Sequence, residues 1–527
     1  MPSGPRSAAS HTNPNTNQVS GPSPLPTWGA IRRPTKHRGH GCGRSGAAVS
    51  ANREKHVGAG AILLRPVGAA PHPEARRGRP RDEAAASARL EARKASGELW
   101  LVIEAGGGID AWITAELRRK GLLEERDPST LSDSEKTSFK ANKKAEAAER
   151  RVLERRARSA FLATHVDHLG VGIHYQENPK DDDFDIADRA LRAKNLGLEE
   201  LVSPEVLAKA LGVDIPRLRF LAFHRDVVEC SHYHLWQIPK RDGTLRSIAA
   251  PKAYLKAAQR WILRNVAEKL PVHGSAHGFL PSRSIVSNAE IHAGAEVVVK
   301  IDVKDFFPTV TWKRVKGLFR KAGLPENVAT LLALLTTEPP REIVEHRGRS
   351  LFVATGPRAL PQGAPTSPAL TNALCVRLDR RMSGLGRKLG FQYSRYADDL
   401  AFSFRQSREH HAAPIGALIA TAEKILVSEG FALHGKKTAV FRRGASQRIT
   451  GLVVNASPGA ASPKARVPRE VIRRVRAALH NREHGKPGKE GESLAQLQGL
   501  CAFIHMTDPV RGRALLDRVA ALMARTP

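Results

Sequence analysis

The sequence predicts a protein of the α+β class, and three observations support that prediction. From about residue 230 onward, short β-type runs such as HYHLWQI and AEVVVKIDV alternate with longer helical segments. The last segment, about 467–527, carries only helical patterns. The chain contains no run of about 18 apolar residues, so no membrane-spanning helix is expected. An antiparallel sheet with helices on one face accounts for these observations.

The charge balance indicates a polyanionic partner. The chain has 527 residues, with 84 Lys and Arg against 52 Asp and Glu, and its formal net charge is therefore +32. A surplus of this size repels itself unless a polyanion neutralises it; nucleic acid is the first candidate and an anionic membrane the second. Acidic small-molecule substrates would not need so much positive charge. The four cysteines stand far apart, which excludes a disulfide framework and a zinc ribbon.

Residues 1–80 are predicted to form a disordered basic tail. This segment is rich in Pro, Gly, Ser and Asn, and it has almost no acidic residues and no apolar period. It cannot bury enough apolar surface to offset the entropy of ordering it. It also lacks a charged start followed by an apolar stretch, so a secretory signal is not expected.

Residues 81–220 are predicted to form a helical N-terminal extension. Two stretches, DEAAASARLEARKA and SFKANKKAEAAERRVLERRARSAFLA, combine Ala, Glu, Lys and Arg with few helix breakers. The second stretch is strongly basic, and two interpretations stay open: a solvated helix with i,i+4 ion pairs, or a helix that contacts phosphates. After the acidic stretch at 181–185, Ser203 and Pro204 are placed to begin a short helical pair.

Residues 221–466 are predicted to form the α+β domain itself. Its helices are expected in AYLKAAQRWILRNVAEKL, PENVATLLALLTT and APIGALIATAEKILVSEG, and further strands in YSRYADDLAFSF and RITGLVVN. Residues 467–527 follow as a separate helical segment.

Three aspartates carry the most information about chemistry. Asp302 follows the apolar strand VVVKI, while Asp398 and Asp399 lie at a predicted tight turn between two strands. Burying adjacent like charges is costly unless cations hold them. Three carboxylates around open positions suit Mg²⁺, and two such ions can activate a 3′-hydroxyl and stabilise a leaving pyrophosphate. Without further motifs, a pair of aspartates at a turn is usually exposed to solvent and has no catalytic role.

The surrounding motifs favour the metal site over an exposed polar turn. The loop Leu360-Pro361-Gln362-Gly363 precedes the aspartate pair by about 30 residues and leads into the helical segment PALTNALCVRLDRRM. A strand Asp, an LPQG loop before a helix and a YADD hairpin, in that order, resemble the palm of the reverse transcriptases. This resemblance covers roughly residues 225–520 and implies a right-hand polymerase, with fingers and palm at 221–466, a helical thumb at 467–527 and a basic N-terminal extension. It also implies that Asp302, Asp398 and Asp399 are the catalytic metal ligands.

The resemblance extends to a nucleotide pocket. Gln237 to Arg246 resemble the fingers motif in which a Lys and an Arg grip the incoming triphosphate, which implies these roles for Lys240 and Arg246. By the family pattern Gln362 lines the nucleotide pocket. Phe307 matches the bulky residue that crowds a ribose 2′-hydroxyl, although Phe306 could hold that role instead. Lys437 matches the basic residue of the motif after the hairpin.

Two further elements resemble the retron subgroup. Residues Asn288-Ala289-Glu290-Ile291-His292 are similar to an NAxxH element, and Ile449-Thr450-Gly451 to a VTG element with Ile in place of Val. His434 stands where the family has Asn. The retron resemblance implies that Asn288, His292, Thr450 and Gly451 contact RNA, and that thumb arginines do so as well; those thumb candidates are Arg469, Arg473, Arg474 and Arg476. For His292 the alternative is a structural histidine, and for the thumb arginines a solvated helix face.

A retron reverse transcriptase is an RNA-directed DNA polymerase that starts from the 2′-hydroxyl of a guanosine in a cognate noncoding RNA. Its product is branched, RNA-linked single-stranded DNA (multicopy single-stranded DNA), and the systems act in defence against phage. The resemblance therefore implies two Mg²⁺ ions (with Mn²⁺ as a substitute), dNTPs, the RNA template and its RNA–DNA hybrid, a retron effector protein as a further partner, no membrane, and a bacterial cytoplasmic location. Two alternatives stay open: a group II intron-type or other solitary bacterial reverse transcriptase, and a catalytically idle RNA-binding protein.

Overall fold

The computed structural model describes residues 83–176, 187–240, 243–406, 412–456, 462–486 and 492–525. The chain divides into two units, Met1–Pro66 and Val67–Pro527, and every described residue belongs to the second. The predicted tail at 1–80 and the acidic stretch at 181–185 lie outside the described residues. Helices and strands are numbered below in chain order.

Three helices form the N-terminal extension: α1 (Glu83–Ala105), α2 (Ile109–Arg119) and α3 (Asp133–Thr164). A capping box begins α3, in which the backbone N–H of Ser132 donates to the Glu135 carboxylate at 3.0 Å. The three helices bury a small core of their own, made of Ile103, Trp112, Ile113, Leu117, Leu153, Ala157 and Ala160. The predicted helical character of this region is confirmed.

Three short helices come next: α4 (Arg189–Asn195), α5 (Pro204–Ala210) and α6 (Ile215–Ala222). Ser203 accepts a hydrogen bond from the backbone N–H of Val206, so its predicted capping role is confirmed. Leu207, Leu218 and neighbouring apolar residues join the main core, which begins at Val166. Helix α6 also contacts the N-terminal bundle, because the Arg219 guanidinium donates to the Leu162 carbonyl of α3 at 2.9 Å. The main apolar core therefore reaches back to Val166, into the range predicted as the N-terminal extension.

The fingers region contains two small antiparallel sheets. One is the hairpin of β2 (Tyr233–Pro239) and β3 (Leu245–Pro251); the other has the strand order β1-β6-β5, from β1 (Val227–Val228), β5 (Arg341–His346) and β6 (Arg349–Ala354). The β5–β6 hairpin was not predicted from the sequence. Arg347 and Gly348 form its two-residue turn, and both adopt positive φ, as such a turn requires. The strands on either side, REIVEH and RSLFVA, do not alternate in polarity, so the sequence signal was weak.

The palm is an antiparallel sheet with the order β10-β4-β8-β7, and β9 also pairs with β4. Its strands are β4 (Val297–Lys304), β7 (Phe391–Tyr396), β8 (Asp399–Phe404), β9 (Ala432–Leu433) and β10 (Ala439–Arg442). Side chains alternate between the faces, so Val299 and Ile301 of β4 and Phe402 of β8 share one buried face. The helices packed in that core are α7 (Ala253–Asn265), α9 (Trp312–Lys321), α10 (Glu326–Thr336), α11 (Ser367–Leu374), α12 (Val376–Leu389) and α13 (Ile415–Ser428). Helices pack on this face as predicted, whereas the helices that also meet the opposite face were not part of the prediction.

The opposite face of the palm sheet joins the thumb at one end and stays polar at the other. Val298 and Ala401 of this face belong to a second core, which the C-terminal helices complete. Its elements are α8 (Ile285–Glu290), the hairpin of β11 (Arg448–Ile449) and β12 (Leu452–Val453), α14 (Arg469–Glu483), α15 (Leu494–His505) and α16 (Pro509–Arg525). The predicted helical nature of 467–527 is confirmed. Within the described part of the chain, no helix combines the length and apolar character that crossing a bilayer requires.

Candidate active site

The three predicted catalytic aspartates meet on the polar part of the palm sheet. Asp302 of β4 is the direct cross-strand partner of Asp399 of β8. Asp398 lies beside them in the two-residue turn that joins β7 to β8, and its backbone carbonyl accepts a hydrogen bond from Val303 at 3.0 Å. Ala397, the other turn residue, adopts a φ of 55°. Strand pairing and the tight turn therefore bring together carboxylates that are almost 100 residues apart in sequence.

The three carboxylates of this cluster repel one another, and two neighbouring lysines partly offset that repulsion. Burial raises the pKa of Asp398 above its ordinary value, and the negative charges of Asp399 and Asp302 add to that shift. Two lysines offset the charge, because Lys437 Nζ lies 3.4 Å from Asp302 and Lys300 Nζ lies 3.5 Å from Asp399. The cluster thus combines concentrated negative charge with two flexible counter-cations.

The donor chemistry of the cluster fits a hard divalent cation. Carboxylate oxygens are the protein ligands that Mg²⁺ uses, and a cation would offset both the burial and the neighbouring negative charges that raise the pKa of Asp398. The side chains do not converge on one point here, since Asp302 and Asp399 turn toward their lysines. Among the described residues, no group of three or more His, Cys, Asp or Glu side chains is gathered closely enough to hold a metal ion.

The LPQG loop lies against the fingers hairpin. The backbone carbonyl of Gln362 accepts a hydrogen bond from Ala249 of β3 at 2.7 Å. Gly363 has a φ of 115°, and a Cβ atom there would lie 2.9 Å from Ile248 Cγ2. The glycine thus permits a close approach to β3, whereas the sequence suggested a close approach to a ligand. Gln362 Oε1 is buried and has no hydrogen-bond partner among the described residues, which leaves an acceptor available to a bound molecule.

The predicted phosphate-gripping residues stand on that hairpin. Arg246 of β3 pairs with Ile238 of β2, and Lys240 directly follows β2. The backbone N–H of Lys240 donates to the carbonyl of Thr244 at 2.7 Å, which closes the end of the hairpin. Both cationic side chains are exposed, and neither has a hydrogen bond or ion pair with another described residue. The contact between Gln362 and Ala249 ties the hairpin that carries them to the LPQG loop.

The structure separates the two candidate gate residues. Phe306 is 4% exposed and packs against Phe431, with ring centroids 5.5 Å apart. Phe307 is only partly buried and packs at the margin of the same core. Phe306 is therefore a core residue, and Phe307 is the one of the two that can meet a bound nucleotide.

A buried ion pair beneath the aspartate turn was missed by the sequence analysis. Arg395 of β7 and Asp379 of α12 both have no exposed surface, and their two charged groups form a bidentate pair with both hydrogen bonds at 2.8 Å. The remaining guanidinium nitrogen donates to the Ala397 carbonyl at 3.2 Å and to the Asn372 side chain at 2.9 Å. Asn372 in turn donates to the carbonyl of Gly278 at 2.8 Å.

Gly278 completes the support of the turn. A Cβ atom on Gly278 would lie 2.8 Å from the backbone nitrogen of Ala397, so only glycine allows the segment to lie this close. The turn that carries Asp398 is therefore held by Arg395 from one side and by the Gly278 segment from another. The sequence of β7, FQYSRY, carries no signal for this pair, because Gln392 and Ser394 also place polar residues in the strand.

Two of the predicted RNA contacts need correction. His292 has no exposed surface, and its ring nitrogens lie 2.7 Å from the hydroxyls of Ser394 and Ser403. Burial lowers the pKa of His292 to about 3, so the ring is held neutral between β7 and β8. Asn288 is only 2% exposed. Because neither side chain is open to solvent, direct RNA contact by His292 and Asn288 was the wrong prediction, and the structural alternative for His292 agrees with its surroundings.

The other predicted RNA contacts lie in two places. Thr450 and Gly451 form the turn of the β11–β12 hairpin, and the Thr450 hydroxyl donates to the Ile285 carbonyl of α8 at 2.9 Å. Arg469 and Arg473 are exposed on α14. The hairpin turn therefore connects the base of the thumb to α8, and the arginines face solvent.

His434, which stands where the family has Asn, contacts its neighbours through backbone hydrogen bonds. Its N–H donates to the Asp302 carbonyl at 2.8 Å, and its carbonyl accepts from Lys437 at 3.0 Å at the start of the short 3₁₀ helix Gly435–Lys437. No hydrogen bond of its side chain is found among the described residues. These backbone contacts, which position Lys437 beside Asp302, do not depend on the side chain at 434.

Comparison with known proteins agrees with this geometry. A family described as reverse transcriptase (RNA-dependent DNA polymerase) matches residues 238–463. The retron Mx162 reverse transcriptase of Myxococcus xanthus is 55% identical over 447 residues, which cover 83% of this chain and 92% of that protein. The retron Ec86 reverse transcriptase of Escherichia coli is 31% identical, over 63% of this chain and 92% of that protein.

Among solved structures, the telomerase of Candida albicans in complex with a fragment of telomeric RNA matches 54% of this chain and 56% of its own, with 12% identity and a TM-score of 0.30. That likeness is too low to carry an argument about this chain. The sequence relatives are decisive: the chain belongs to the retron reverse transcriptases, and it is an RNA-directed DNA polymerase with the right-hand fold of fingers, palm and thumb.

Proposed function

We propose that this chain reverse-transcribes part of a cognate structured noncoding RNA and starts synthesis from the 2′-hydroxyl of an internal guanosine. The product is single-stranded DNA joined to that RNA through a branch, made in many copies, and the system acts in bacterial defence against phage. One observation carries the proposal: 55% identity to the retron Mx162 reverse transcriptase across 92% of that protein's length. A likeness of this extent supports a shared reaction and a shared kind of template.

Asp302, Asp398 and Asp399 would hold two Mg²⁺ ions, for which Mn²⁺ could substitute. Bound there, the ions would make the priming hydroxyl a better nucleophile and neutralise the leaving pyrophosphate. The chain contributes the placement of the ligands, because the pairing of β4 with β8 sets Asp302 opposite Asp399 and the turn sets Asp398 beside them. Lys437 and Lys300 moderate the repulsion between these carboxylates in the absence of substrate.

The incoming dNTP would bind between the fingers hairpin and the palm. Lys240 and Arg246 would contact its phosphates, since both are exposed cations without an intramolecular partner among the described residues. The unpartnered Oε1 atom of Gln362 supports its role as an acceptor in the pocket. Phe307 would exclude the 2′-hydroxyl of a ribonucleotide, and Lys437 would stand near the triphosphate, beside Asp302.

The RNA and the RNA–DNA hybrid would lie along the thumb. Arg473, Arg476, His480 and Arg518 line a cavity of about 460 Å³ on this surface, which supports a phosphate-contacting role for α14. Arg469 lies about three helical turns before His480 on the same helix, and Thr450 and Gly451 lie in the hairpin at the thumb base. A retron effector protein is a further proposed partner, and the bacterial cytoplasm is the proposed location.

The experiment is to express the protein together with its flanking DNA and to isolate the nucleic acid that co-purifies with it. We expect a short single-stranded DNA that stays attached to a ribonucleotide after ribonuclease digestion and that a debranching enzyme releases. The matched control is the same operon with Asp398→Asn, which should yield the protein and its RNA without the DNA. Phage plating on cells with and without the active operon tests the defence role.

Other outcomes decide between the alternatives. RNA without linked DNA from the unaltered operon would contradict the retron reaction. Retained DNA synthesis on a simple primed RNA template, without a branched product, would then indicate a solitary or intron-type reverse transcriptase. Loss of both activities would indicate an idle RNA-binding protein.

A further inference from the structure

The long helix α3 carries its basic residues in two distinct sets. One set is paired within the bundle: Lys143 and Arg150 both contact Glu146, at 2.8 and 3.3 Å, and Lys136 contacts Asp133 at 2.7 Å. Each of these cations has an acidic residue three or four positions away on the helix. This set is accounted for by intrahelical ion pairs.

The second set forms no such ion pairs, although Glu154 lies three residues after one of its members, Arg151. Its members are exposed, and none forms a hydrogen bond or ion pair with another described residue; they are Lys140, Lys144, Arg151 and Arg155, which we call the basic stripe. With 3.6 residues per turn, the four Cα positions fall within an arc of about 60° and extend over about 22 Å. The buried residues Leu153, Ala157 and Ala160 lie on the opposite side of the helix. The stripe is therefore a straight row of cations on the outer surface of the bundle.

This arrangement works against the stability of the free helix. Lys140 precedes Lys144 by four residues, and Arg151 precedes Arg155 by four, so like charges are neighbours on the surface. Glu146 and Glu149 are turned away from the stripe, the first to Lys143 and Arg150 and the second to Lys120 of the next segment. Such a row of like charges does not stabilise the folded protein, whereas a bound polyanion would neutralise it.

The residues between the cations indicate which polyanion fits. Positions along the stripe carry Ala147, Ala148 and Val152, and no aromatic side chain on which an unpaired base could stack. Protein interfaces are enriched in aromatic residues and depleted of lysine, which also argues against a protein partner. Double-stranded RNA, in contrast, presents phosphates and 2′-hydroxyls along a rigid line and is recognised by its shape.

We propose that the basic stripe of α3 binds the backbone of a double-stranded segment of RNA. The inference rests on the proposed function insofar as the natural ligand would be a stem of the cognate noncoding RNA. The stripe lies on a bundle whose core, of Ile103, Trp112 and their neighbours, is separate from the palm core. Contact with the RNA stem is thus physically independent of the residues that surround the aspartates.

The test measures binding of the full-length protein to an RNA duplex of arbitrary sequence and about 20 base pairs. The stripe variant combines Lys144→Gln, Arg151→Gln and Arg155→Gln. The matched control combines Lys136→Gln, Lys143→Gln and Arg150→Gln, which removes an equal number of positive charges from other positions of the same helix. We expect the stripe variant to lose at least about tenfold in affinity and to flatten the salt dependence by about two to three units of slope, because each phosphate contact contributes nearly one unit. The control should stay within about threefold.

Equal losses in the two variants would overturn the proposal, since net charge alone would then explain binding. Unchanged binding by the stripe variant would overturn it as well. DNA synthesis on a primed homopolymer RNA shows whether each variant retains an intact palm. A second measurement needs no variant: lysine acetylation of the unaltered protein, in which duplex RNA should protect Lys140 and Lys144 but not Lys143. Equal protection of all three lysines would contradict the stripe. Because the duplex is arbitrary, these results stand even if no branched DNA is found.

Discussion

Asp302 and Asp399 lie directly opposite each other across the antiparallel pair of β4 and β8, on the polar part of the sheet face that joins the thumb at its other end. Each carboxylate has its own lysine, Lys437 or Lys300, on the same surface. Asp398 adds a third negative charge from the adjoining turn. In a chain whose net charge is +32, the palm thus places three carboxylates on one small part of its surface, which is where cations and a triphosphate would bind.

Asp398→Asn should abolish dNTP incorporation while leaving RNA binding nearly unchanged. Asparagine keeps the size of the side chain but replaces one acceptor oxygen by a donor and removes the charge. Because metal ligands supply several kcal/mol of transition-state stabilisation, the rate should fall by more than about a hundredfold. Primer extension and RNA affinity, measured on the same preparation, check this expectation.

The matched control for that experiment is Asp305→Asn. Asp305 is exposed, lies three residues after Asp302 and has a φ of 46°, a conformation that asparagine tolerates. Its incorporation rate should stay within about twofold of the unaltered enzyme. Synthesis retained by Asp398→Asn would remove the two-metal assignment.

The buried pair of Arg395 and Asp379 should position the aspartate turn as well as stabilise the palm. Arg395→Met leaves a buried carboxylate without its partner and should cost about 3–5 kcal/mol of unfolding free energy. The double variant Arg395→Met with Asp379→Leu removes both charges and should regain most of that stability. It still lacks the donor to the Ala397 carbonyl, so the turn that carries Asp398 loses its support.

We therefore expect the double variant to be folded but slow. Its kcat should fall by about tenfold to a hundredfold, with little change in KM for dNTPs, because small misplacements of reacting groups have effects of this size. Urea unfolding and steady-state kinetics separate the two roles. Full activity in the double variant would mean that the pair serves stability alone.

The sequence allowed the aspartates to be located because their signals are local. An apolar run that leads into Asp302 and a turn flanked by two β-type runs are both visible in short windows of the sequence. Asp302 lies within β4, which continues to Lys304, and the pairing of β4 with β8 then brings the aspartates together. The pair of Arg395 and Asp379 could not be inferred in this way, since nothing local distinguishes a core arginine from a surface arginine. The burial of His292 and the packing of α4–α6 into the main core likewise depend on contacts between segments far apart in sequence.

Phe307→Ala should weaken discrimination against ribonucleotides. Loss of the ring opens space beside the sugar, and the ratio of dNTP to rNTP incorporation efficiency should fall by at least about tenfold. The matched variant is Phe306→Ala, which opens a cavity in the palm core and should cost about 3–5 kcal/mol of stability without this change in selectivity. Single-nucleotide incorporation with each substrate measures the ratio. Relaxed selectivity in Phe306→Ala alone would reverse the two assignments.

Gly363→Ala should disturb the loop that presents Gln362. The φ of 115° is unfavourable for alanine, and the new Cβ would press on Ile248 at 2.9 Å and on the Ala249 carbonyl at 3.0 Å. We expect a higher KM for dNTPs and a loss of about 1–3 kcal/mol of stability. The control is Gly384→Ala within α12, where a Cβ meets no atom within 4 Å and should stabilise the helix by up to about 1 kcal/mol. Equal behaviour of the two variants would show that the approach to β3 has no functional importance.

His292 should make the palm sensitive to acid. In the folded protein burial lowers the pKa of His292 to about 3, whereas an unfolded histidine titrates near 6.5. Between these values the unfolded chain takes up a proton that the folded chain refuses, so stability is complete above about pH 6.5 and declines as the pH falls. The slope attributable to one such group approaches about 1.4 kcal/mol per pH unit.

The test compares urea unfolding of the unaltered protein and of His292→Gln from neutral pH down to mildly acidic pH. Glutamine can still hydrogen-bond to Ser394 and Ser403 but binds no proton, so its stability should fall less steeply with acid. His277 and Arg405, the other two groups that lower the pKa of His292, both remain in the variant, so the comparison isolates the contribution of His292. His234→Gln, at an exposed position of β2, is the control and should retain the slope of the unaltered protein. Parallel slopes for the unaltered protein and His292→Gln would show that the ring is protonated in the fold, contrary to its placement between two serine hydroxyls.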